Sequence, residues 1–149
     1  MKGWGFFIFS KGPIKTVILI TFPSMNKNDI QSFEDVELLV NSFYDQVKKD
    51  PTIGPIFNDQ VKVNWEEHLP KMYLFWAGIL LDQRGYSGNP MMKHIHLSKK
   101  VKMKDKEFQV WLELFNQTVF GLFEGPVAEK AVSRARNIAD LMKYKINHS

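Results

Sequence analysis

Apolar residues from position 25 onward recur at steps of three and four, the spacing that places them on one face of an α-helix. The repeat is clearest over residues 36–47, 69–80 and 108–122, and a last stretch at about 127–143 has alanines at the same spacing. No stretch in this part of the chain is typical of a β-strand. The sequence therefore predicts an all-α domain of four or five helices.

Prolines and glycines predict where these helices end. Pro51 ends the first helix, because the residue before a proline is driven out of the α conformation. Pro70 falls near the start of the second helix, which must begin close to it or bend there. Gly125 and Pro126 separate the third helix from the last. The periodicity is weak between residues 81 and 106, where glycines and a proline predict a loop.

The size and composition of the chain limit the number of domains. With 149 residues, 44% of them hydrophobic, the chain can bury one sizeable core but hardly two. It has no cysteine, which excludes disulfide bonds, thiolate metal sites, a cysteine nucleophile and a cofactor attached through cysteines. The composition predicts one domain, and the lack of cysteine fits a cytoplasmic protein.

The positive charge of the chain raises the question of nucleic-acid binding, since the formal net charge is +4 and the pI is about 9.2. Three of these charges come from Lys2, Lys11 and Lys15, because residues 1–24 have no acidic residue, and the rest of the chain carries +1. The lysine-rich run at 99–104 has no helix-turn-helix or RNA-binding signature beside it. A solvated loop explains that run better, so no nucleic-acid partner is predicted.

The first 24 residues differ in kind from the rest. The apolar stretch Phe6–Phe9 is too short for a signal peptide, Lys11 interrupts its continuation, and no small-residue cleavage site follows. The segment also lacks the roughly 20 uninterrupted apolar residues that span a bilayer, so no membrane partner is predicted. Two interpretations remain: an extension, packed on the body or disordered, or translated upstream sequence with the natural start at Met25. The second is favoured, and the predicted domain comprises residues 25–149.

Four side chains with polar rings stand out against the apolar pattern. Tyr44 lies four residues after Val40, so its ring joins the buried face while its hydroxyl must find a partner. His68 falls at helical spacing with apolar residues of the second helix and is predicted to face inward. Trp111 lies on the apolar stripe of the third helix, and His94 lies in a short segment at the end of the predicted loop. These residues are the candidates for a functional site.

Six short stretches together resemble a known family, the truncated haemoglobins, and specifically their group III. They occur in family order and lie within residues 33–143, which is most of the predicted domain. No single stretch is diagnostic, but the ordered set is. The stretches are FY at 43–44, DPTIGPIF at 50–57, WEEHLPKM at 65–72, FW at 75–76, GNPMMKH at 88–94 and WLELF at 111–115.

The resemblance implies a shortened globin fold with its helices packed two over two. It also implies a haem, which must be held noncovalently because the chain has no cysteine. His94 matches the proximal iron ligand of the family. Tyr44, His68 and Trp111 match the distal residues, which face a ligand bound on the other side of the iron.

Ordinary structural roles compete with these assignments. His96 cannot share an iron with His94 if both lie on one helix, because residues two apart point about 200° away from each other; His94 is chosen because it occupies the family position. His68 is either a ligand-facing residue, a gate or an inward histidine without a role. Tyr44 and Trp111 could be plain core aromatics, but both have polar groups that an apolar core does not need.

A second set of residues is expected to pack against the haem or to hold its propionates. Lysines are common on any surface, so a purely structural role is the stronger interpretation for the two cations in this set. The apolar candidates are Phe57, Met72, Phe75 and Leu97, and the cations are Lys93 and Arg84.

The predicted function is that of a cytoplasmic haem b protein that reversibly binds O2, with NO as a further candidate ligand. Oxidation of NO and a peroxidase-like reaction are open alternatives. Either would require a separate electron donor or reductase, because the sequence has no flavin or nicotinamide domain. The rival interpretation is a haem-free helical module that binds a partner through an apolar groove.

Overall fold

The fold was analysed in a computed structural model, which describes residues 6–11, 14–21, 26–83 and 103–148. Four α-helices and one π-helical turn lie in the last two of these ranges. They are α1 (Phe33–Lys49), the π-turn (Ile56–Gln60), α2 (Trp65–Leu80), α3 (Asp105–Leu122) and α4 (Pro126–Asn147). The prediction of an all-α domain is confirmed for residues 26–83 and 103–148, and α4 continues four residues beyond the predicted end.

Two antiparallel strands lie in the segment predicted to be an extension. Strand β1 (Phe6–Lys11) pairs with β2 (Ile14–Thr21), with Phe7 opposite Ile20 and an irregularity in register between Phe9 and Lys11. The sequence pattern predicted no secondary structure here. The pairing has a physical reason, because β2 is rich in β-branched residues, which favour an extended backbone.

The start of α1 is fixed by a capping box. The Ser32 hydroxyl accepts a hydrogen bond from the backbone N–H of Asp35, and the Asp35 carboxylate accepts one from the N–H of Ser32, both at 3.2 Å. Acidic residues in the first turn and Lys48 and Lys49 in the last turn match the helix dipole. This helix therefore has strong local reasons to begin and end where it does.

The end of α1 confirms the prediction made from Pro51, since the helix stops at Lys49. The Asp50 carboxylate accepts a hydrogen bond from the N–H of Thr52 at 2.8 Å and so begins a tight turn. In that turn the backbone of Gly54 passes so close to α1 that a Cβ there would lie 2.8 Å from the carbonyl oxygen of Lys48. This close approach places the π-turn against the end of α1.

The second helix begins five residues before Pro70, so the proline lies inside α2 rather than in its first turn. Asn64 precedes the helix but makes no side-chain capping bond. The carbonyl oxygen of Asn64 accepts two backbone hydrogen bonds, from the N–H of Glu67 at 3.2 Å and from that of His68 at 2.9 Å. The first turn of α2 is thus formed, but no side-chain cap fixes it.

The four helices form two pairs. In the first pair α1 packs against α2, and the Tyr73 hydroxyl of α2 donates a hydrogen bond to the Asn41 side chain of α1. In the second pair α3 packs along α4, and the pairs meet where α1 contacts α3 and α2 contacts α4. This is the predicted arrangement of two helices over two. Within the described residues, no helix is both long enough and apolar enough to cross a membrane.

The last helix packs closely because its inner face is built from alanine. These side chains are fully buried, which confirms the close helix approach predicted from their spacing; they are Ala128, Ala131, Ala135 and Ala139. The N-terminus of α4 is capped from a distant part of the chain: the Asp29 carboxylate accepts hydrogen bonds from the N–H groups of Val127 and Ala128, each at 2.9 Å. Gly125, with φ of 142°, passes so close to Asp29 that no larger residue fits.

Candidate functional site

Tyr44 lies on the inner face of α1 and is 5% exposed, as its position beside the apolar stripe predicted. Burial raises the pKa of the Tyr44 phenol well above its ordinary value, because the charged phenolate would be separated from water. The phenol is therefore neutral at physiological pH. It keeps its proton and can donate a hydrogen bond.

His68 lies beside Tyr44, near the start of α2. The Tyr44 hydroxyl oxygen and His68 Nε2 are 3.3 Å apart, within hydrogen-bond distance, and the two rings meet edge to face. The hydroxyl donates to Nε2 when that nitrogen is unprotonated and accepts from it when Nε2 carries the proton. The structure thus places together two of the three residues that were predicted to be distal.

Trp111, the third of these residues, is linked to Tyr44 through one intervening ring. Phe43 contacts Tyr44 at a centroid distance of 4.9 Å and Trp111 at 5.6 Å. Trp111 is half-buried and stacks on Phe115, which in turn stacks on Trp76 in the core. Its indole is therefore held by an aromatic stack that joins α3 to α2, and it meets the ring of Phe43, the neighbour of Tyr44 in α1.

The three apolar candidates that the structure describes differ in burial. Phe57, in the π-turn, is half-buried and meets the Tyr44 ring edge to face at 6.4 Å. Phe75 is half-buried and contacts Trp76 at 5.5 Å. Met72 lies one turn after His68 and is 4% exposed. Two of the three candidates thus keep part of their apolar surface uncovered.

The remaining candidates lie outside the described residues. They are His94, Lys93, Leu97 and Arg84, all within residues 84–102, and the same holds for the competing His96. In the ranges that the structure does describe, no group of three or more His, Asp or Glu side chains is placed to hold a metal ion. A metal ion bound directly by such a cluster therefore has no candidate site in those ranges.

The described residues fit a flat apolar cofactor such as haem. Phe57, Phe75 and Trp111 pack on the core with one side and remain half-buried, which leaves apolar surface for a cofactor to cover. Beside Phe57 lie two hydrogen-bonding groups, the neutral Tyr44 phenol and the His68 imidazole. An apolar wall with a few polar groups is what a noncovalent haem pocket with a distal ligand requires.

Comparisons with known proteins agree with this geometry. The model of the bacterial-like globin family matches residues 28–143. The group 3 truncated hemoglobin ctb of Campylobacter jejuni is 34% identical over 109 residues, which are 71% of this chain and 84% of that protein. The crystal structure of group III truncated hemoglobin from the same organism matches with a TM-score of 0.69 at 31% identity, covering 79% of this chain and 93% of that one.

The chain belongs to the bacterial-like globin family, and it is a haem globin of the truncated type. Its similarity to the group III proteins confirms the family resemblance drawn from the six sequence stretches. Family membership favours the haem globin over the haem-free interaction module.

One residue at this site was not assigned a role from the sequence. The Trp65 ring contacts the rings of Tyr44, His68 and Phe57, with centroid distances of 5.3, 5.9 and 6.2 Å. Its position three residues before His68 is the signal that could have identified it, because residues three apart share a helix face. The contacts with the first helix and the π-turn depend on tertiary structure, which spacing does not show.

Proposed function

We propose that this globin binds haem b noncovalently and binds O2 reversibly, with His94 as the iron ligand and Tyr44, His68 and Trp111 around the bound gas. The observation that carries the proposal is the contact of the buried Tyr44 with the half-buried His68, whose oxygen and nitrogen atoms are 3.3 Å apart. When the Tyr44 hydroxyl accepts from Nε2, its own proton is available for a polar ligand.

The cofactor would be held mainly by apolar contacts. Haem would supply ferrous iron that can bind a diatomic ligand. Phe57, Met72, Phe75 and Leu97 are the candidates for packing on its plane. Lys93 is the candidate for its propionates, and His94 supplies the protein ligand through a neutral imidazole nitrogen.

The donors around the gas should favour O2 over CO. O2 bound to a ferrous haem has more negative charge on its outer atom than CO does, and a hydrogen bond from a neutral donor stabilises that charge by about 1 kcal/mol. The Tyr44 hydroxyl can donate one such bond, and Trp111 Nε1 is a donor only. The rings of Phe43 and Phe57 exclude water from the Tyr44 side chain. Several donors in a dry pocket should slow the escape of O2.

An absorption spectrum tests the cofactor and its ligand. The full chain reconstituted with haemin and reduced should show a Soret band, and His94→Ala should abolish it or convert it to that of loosely bound haem. His96→Ala is the matched control and should keep the wild-type spectrum. Retention of the wild-type spectrum by His94→Ala, or its loss in His96→Ala alone, would show that His94 is not the ligand.

Turnover is tested separately from binding. Conversion of NO by the reaction NO + O2 + e⁻ → NO3⁻ needs an electron from outside the chain, so a reductase or another donor is the expected partner. Oxygenated protein mixed with NO should form one nitrate per haem and then stop unless a reductant is added. NO that is bound without nitrate formation would restrict the function to gas binding. The absence of cysteine fits a cytoplasmic location for either role.

A further inference from the structure

Trp65 has no part in the hydrogen bonding proposed for the gas site, yet its indole touches both members of the polar pair. The ring centroid lies 5.3 Å from that of Tyr44 and 5.9 Å from that of His68. We propose that Trp65 is a positioning residue, which holds the His68 imidazole against the Tyr44 hydroxyl and thereby controls how fast a bound gas leaves. This inference rests on the proposed haem function.

The start of α2 has no side-chain cap, so another contact must help to hold its first turn in place. Trp65 is the first residue of the helix, and Asn64 makes no side-chain capping bond to it. His68 lies only three residues further on, on the same face, so its position depends on how well this first turn is held. With no side-chain cap from Asn64, packing of the large indole is one restraint that holds this turn in place.

Trp65 is itself held by two other elements. Phe57 of the π-turn stacks on it at 6.2 Å with an angle of 29° between the rings. Lys48, in the last turn of α1, places its Nζ 4.4 Å from the centre of the indole, which is the geometry of a cation–π contact. The Asn58 side chain donates a hydrogen bond to the Lys48 carbonyl oxygen at 3.0 Å and links these two anchors.

The geometry of the imidazole follows from these contacts. The Trp65 and His68 rings meet at 78°, edge to face, so His68 cannot turn away from Tyr44 without losing that contact. A side chain that is smaller and not aromatic at position 65 would leave space into which the imidazole can rotate. Tyr44 would then lose a fixed partner, and the pocket would contain more than one arrangement of its polar groups.

The test compares Trp65→Leu with Trp65→Phe in the haem-loaded ferrous CO form of the full chain. Trp65→Leu should add a second C–O stretching band in the infrared spectrum and broaden the His68 ring signals in NMR. Trp65→Phe keeps an aromatic edge and should retain the wild-type single band. The O2 dissociation rate should rise by about twofold to tenfold in Trp65→Leu, since one ring contact is lost.

Lys48→Met and Lys49→Met form a matched pair that changes the same charge on the same turn of α1. Lys48→Met removes the cation over the indole and should shift the band pattern in the same direction as Trp65→Leu, but by less. Lys49 is exposed, and its substitution should have no effect. If Trp65→Leu does not fold, the two lysine variants test the positioning role of Trp65 in its place.

Two results would overturn the inference: a wild-type band pattern and O2 rate in Trp65→Leu, or equal effects of the two lysine variants. A fall in thermal stability with an unchanged band pattern would show that Trp65 is a structural residue only. Failure of the proposed function is distinguishable, because the wild-type chain would then have no Soret band and no CO adduct.

Discussion

At the scale of single residues, the buried phenol of Tyr44 is the group on which the proposed gas binding most depends. Its burial keeps it protonated, and the nearby His68 gives it a fixed hydrogen-bond partner. The spacing of apolar residues along α1 was enough to place Tyr44 at the edge of the buried face. It was not enough to find its partner, because the partner belongs to another helix and lies 24 positions away in the sequence.

Removing a hydrogen-bond donor should change the dissociation rate of O2 more than that of CO. Tyr44→Phe keeps the ring and loses the hydroxyl, and Trp111→Phe loses the indole N–H, so each should raise the O2 dissociation rate by about twofold to tenfold, the value of one hydrogen bond. CO dissociation should change less, since CO accepts weaker hydrogen bonds. Stopped-flow displacement of each gas from haem-loaded protein measures both rates.

Trp76→Phe is the control for the second substitution. Trp76 belongs to the same aromatic stack as Trp111, through Phe115, but it is 4% exposed and lies in the core. The control should lower stability and leave the ratio of O2 to CO dissociation rates unchanged. Equal effects of Trp111→Phe on the two gases would indicate steric gating instead of hydrogen bonding.

At the scale of secondary-structure elements, the position of α4 depends on the Asp29 carboxylate. Burial raises the pKa of this carboxyl, but hydrogen bonds from the N–H groups of Val127, Ala128 and Ile30 outweigh that effect and hold the pKa below its ordinary value. A depressed pKa means that the folded state prefers the charged carboxylate. The cap therefore contributes stability above the ordinary pKa of an aspartate, and that contribution is lost as the pH falls through the pKa in the folded state.

Asp29→Asn should destabilise the protein at pH 7, because a neutral amide is a weaker acceptor for the end of a helix. The difference in free energy of unfolding from wild type should shrink as the pH falls below the ordinary pKa of an aspartate, about 4, and on through the lower pKa of the folded state. Urea unfolding at a series of pH values measures this difference. Asp45→Asn, at an exposed position in α1, is the matched control and should show no such dependence; a constant difference for Asp29→Asn across the series would contradict the capping role.

Gly54 is the second position where an element depends on one residue. A Cβ there would lie 2.8 Å from the carbonyl oxygen of Lys48 and 3.0 Å from that of Val47, and both are backbone atoms that cannot move independently. Gly54→Ala should lower the free energy of unfolding by about 1–3 kcal/mol through overpacking. Gly121→Ala, which has open space around it in α3, should be neutral or stabilising. Thermal and urea unfolding measure both changes in stability. Equal changes in the two variants would contradict the overpacking expected at Gly54.

At the scale of the whole molecule, much of the fold followed from the sequence because the helices are amphipathic and end at recognisable residues. Pro51 and the alanines of α4 correctly predicted a helix end and a close helix contact. The candidate site could be predicted from the sequence less completely than the fold. The resemblance supplied its residues, but the contact of Lys48 with Trp65 joins two helices and leaves no mark in the periodicity. The strands β1 and β2 were not predicted, because helical spacing of apolar residues carries no information about strand pairing.

A chain begun at Met25 tests the proposed division into an extension and a globin domain. The matched family region starts at residue 28, and every buried core residue of the described globin part lies at or after Ile30. The shortened chain should therefore keep the Soret band, the O2 and CO dissociation rates and the midpoint of urea unfolding. A large loss of haem or of stability would show that residues 1–24 contribute to the domain.

The cap on α4 also has a consequence for how the protein is made. Asp29 and Val127 are 98 positions apart, so the carboxylate leaves the ribosome long before the helix that it caps. Until then the segment before α1 lacks its long-range partner, and closing so large a loop costs chain entropy that only the finished helix can offset. In each newly made chain the Asp29 cap can therefore form only after Val127 and Ala128 of the last helix have been made.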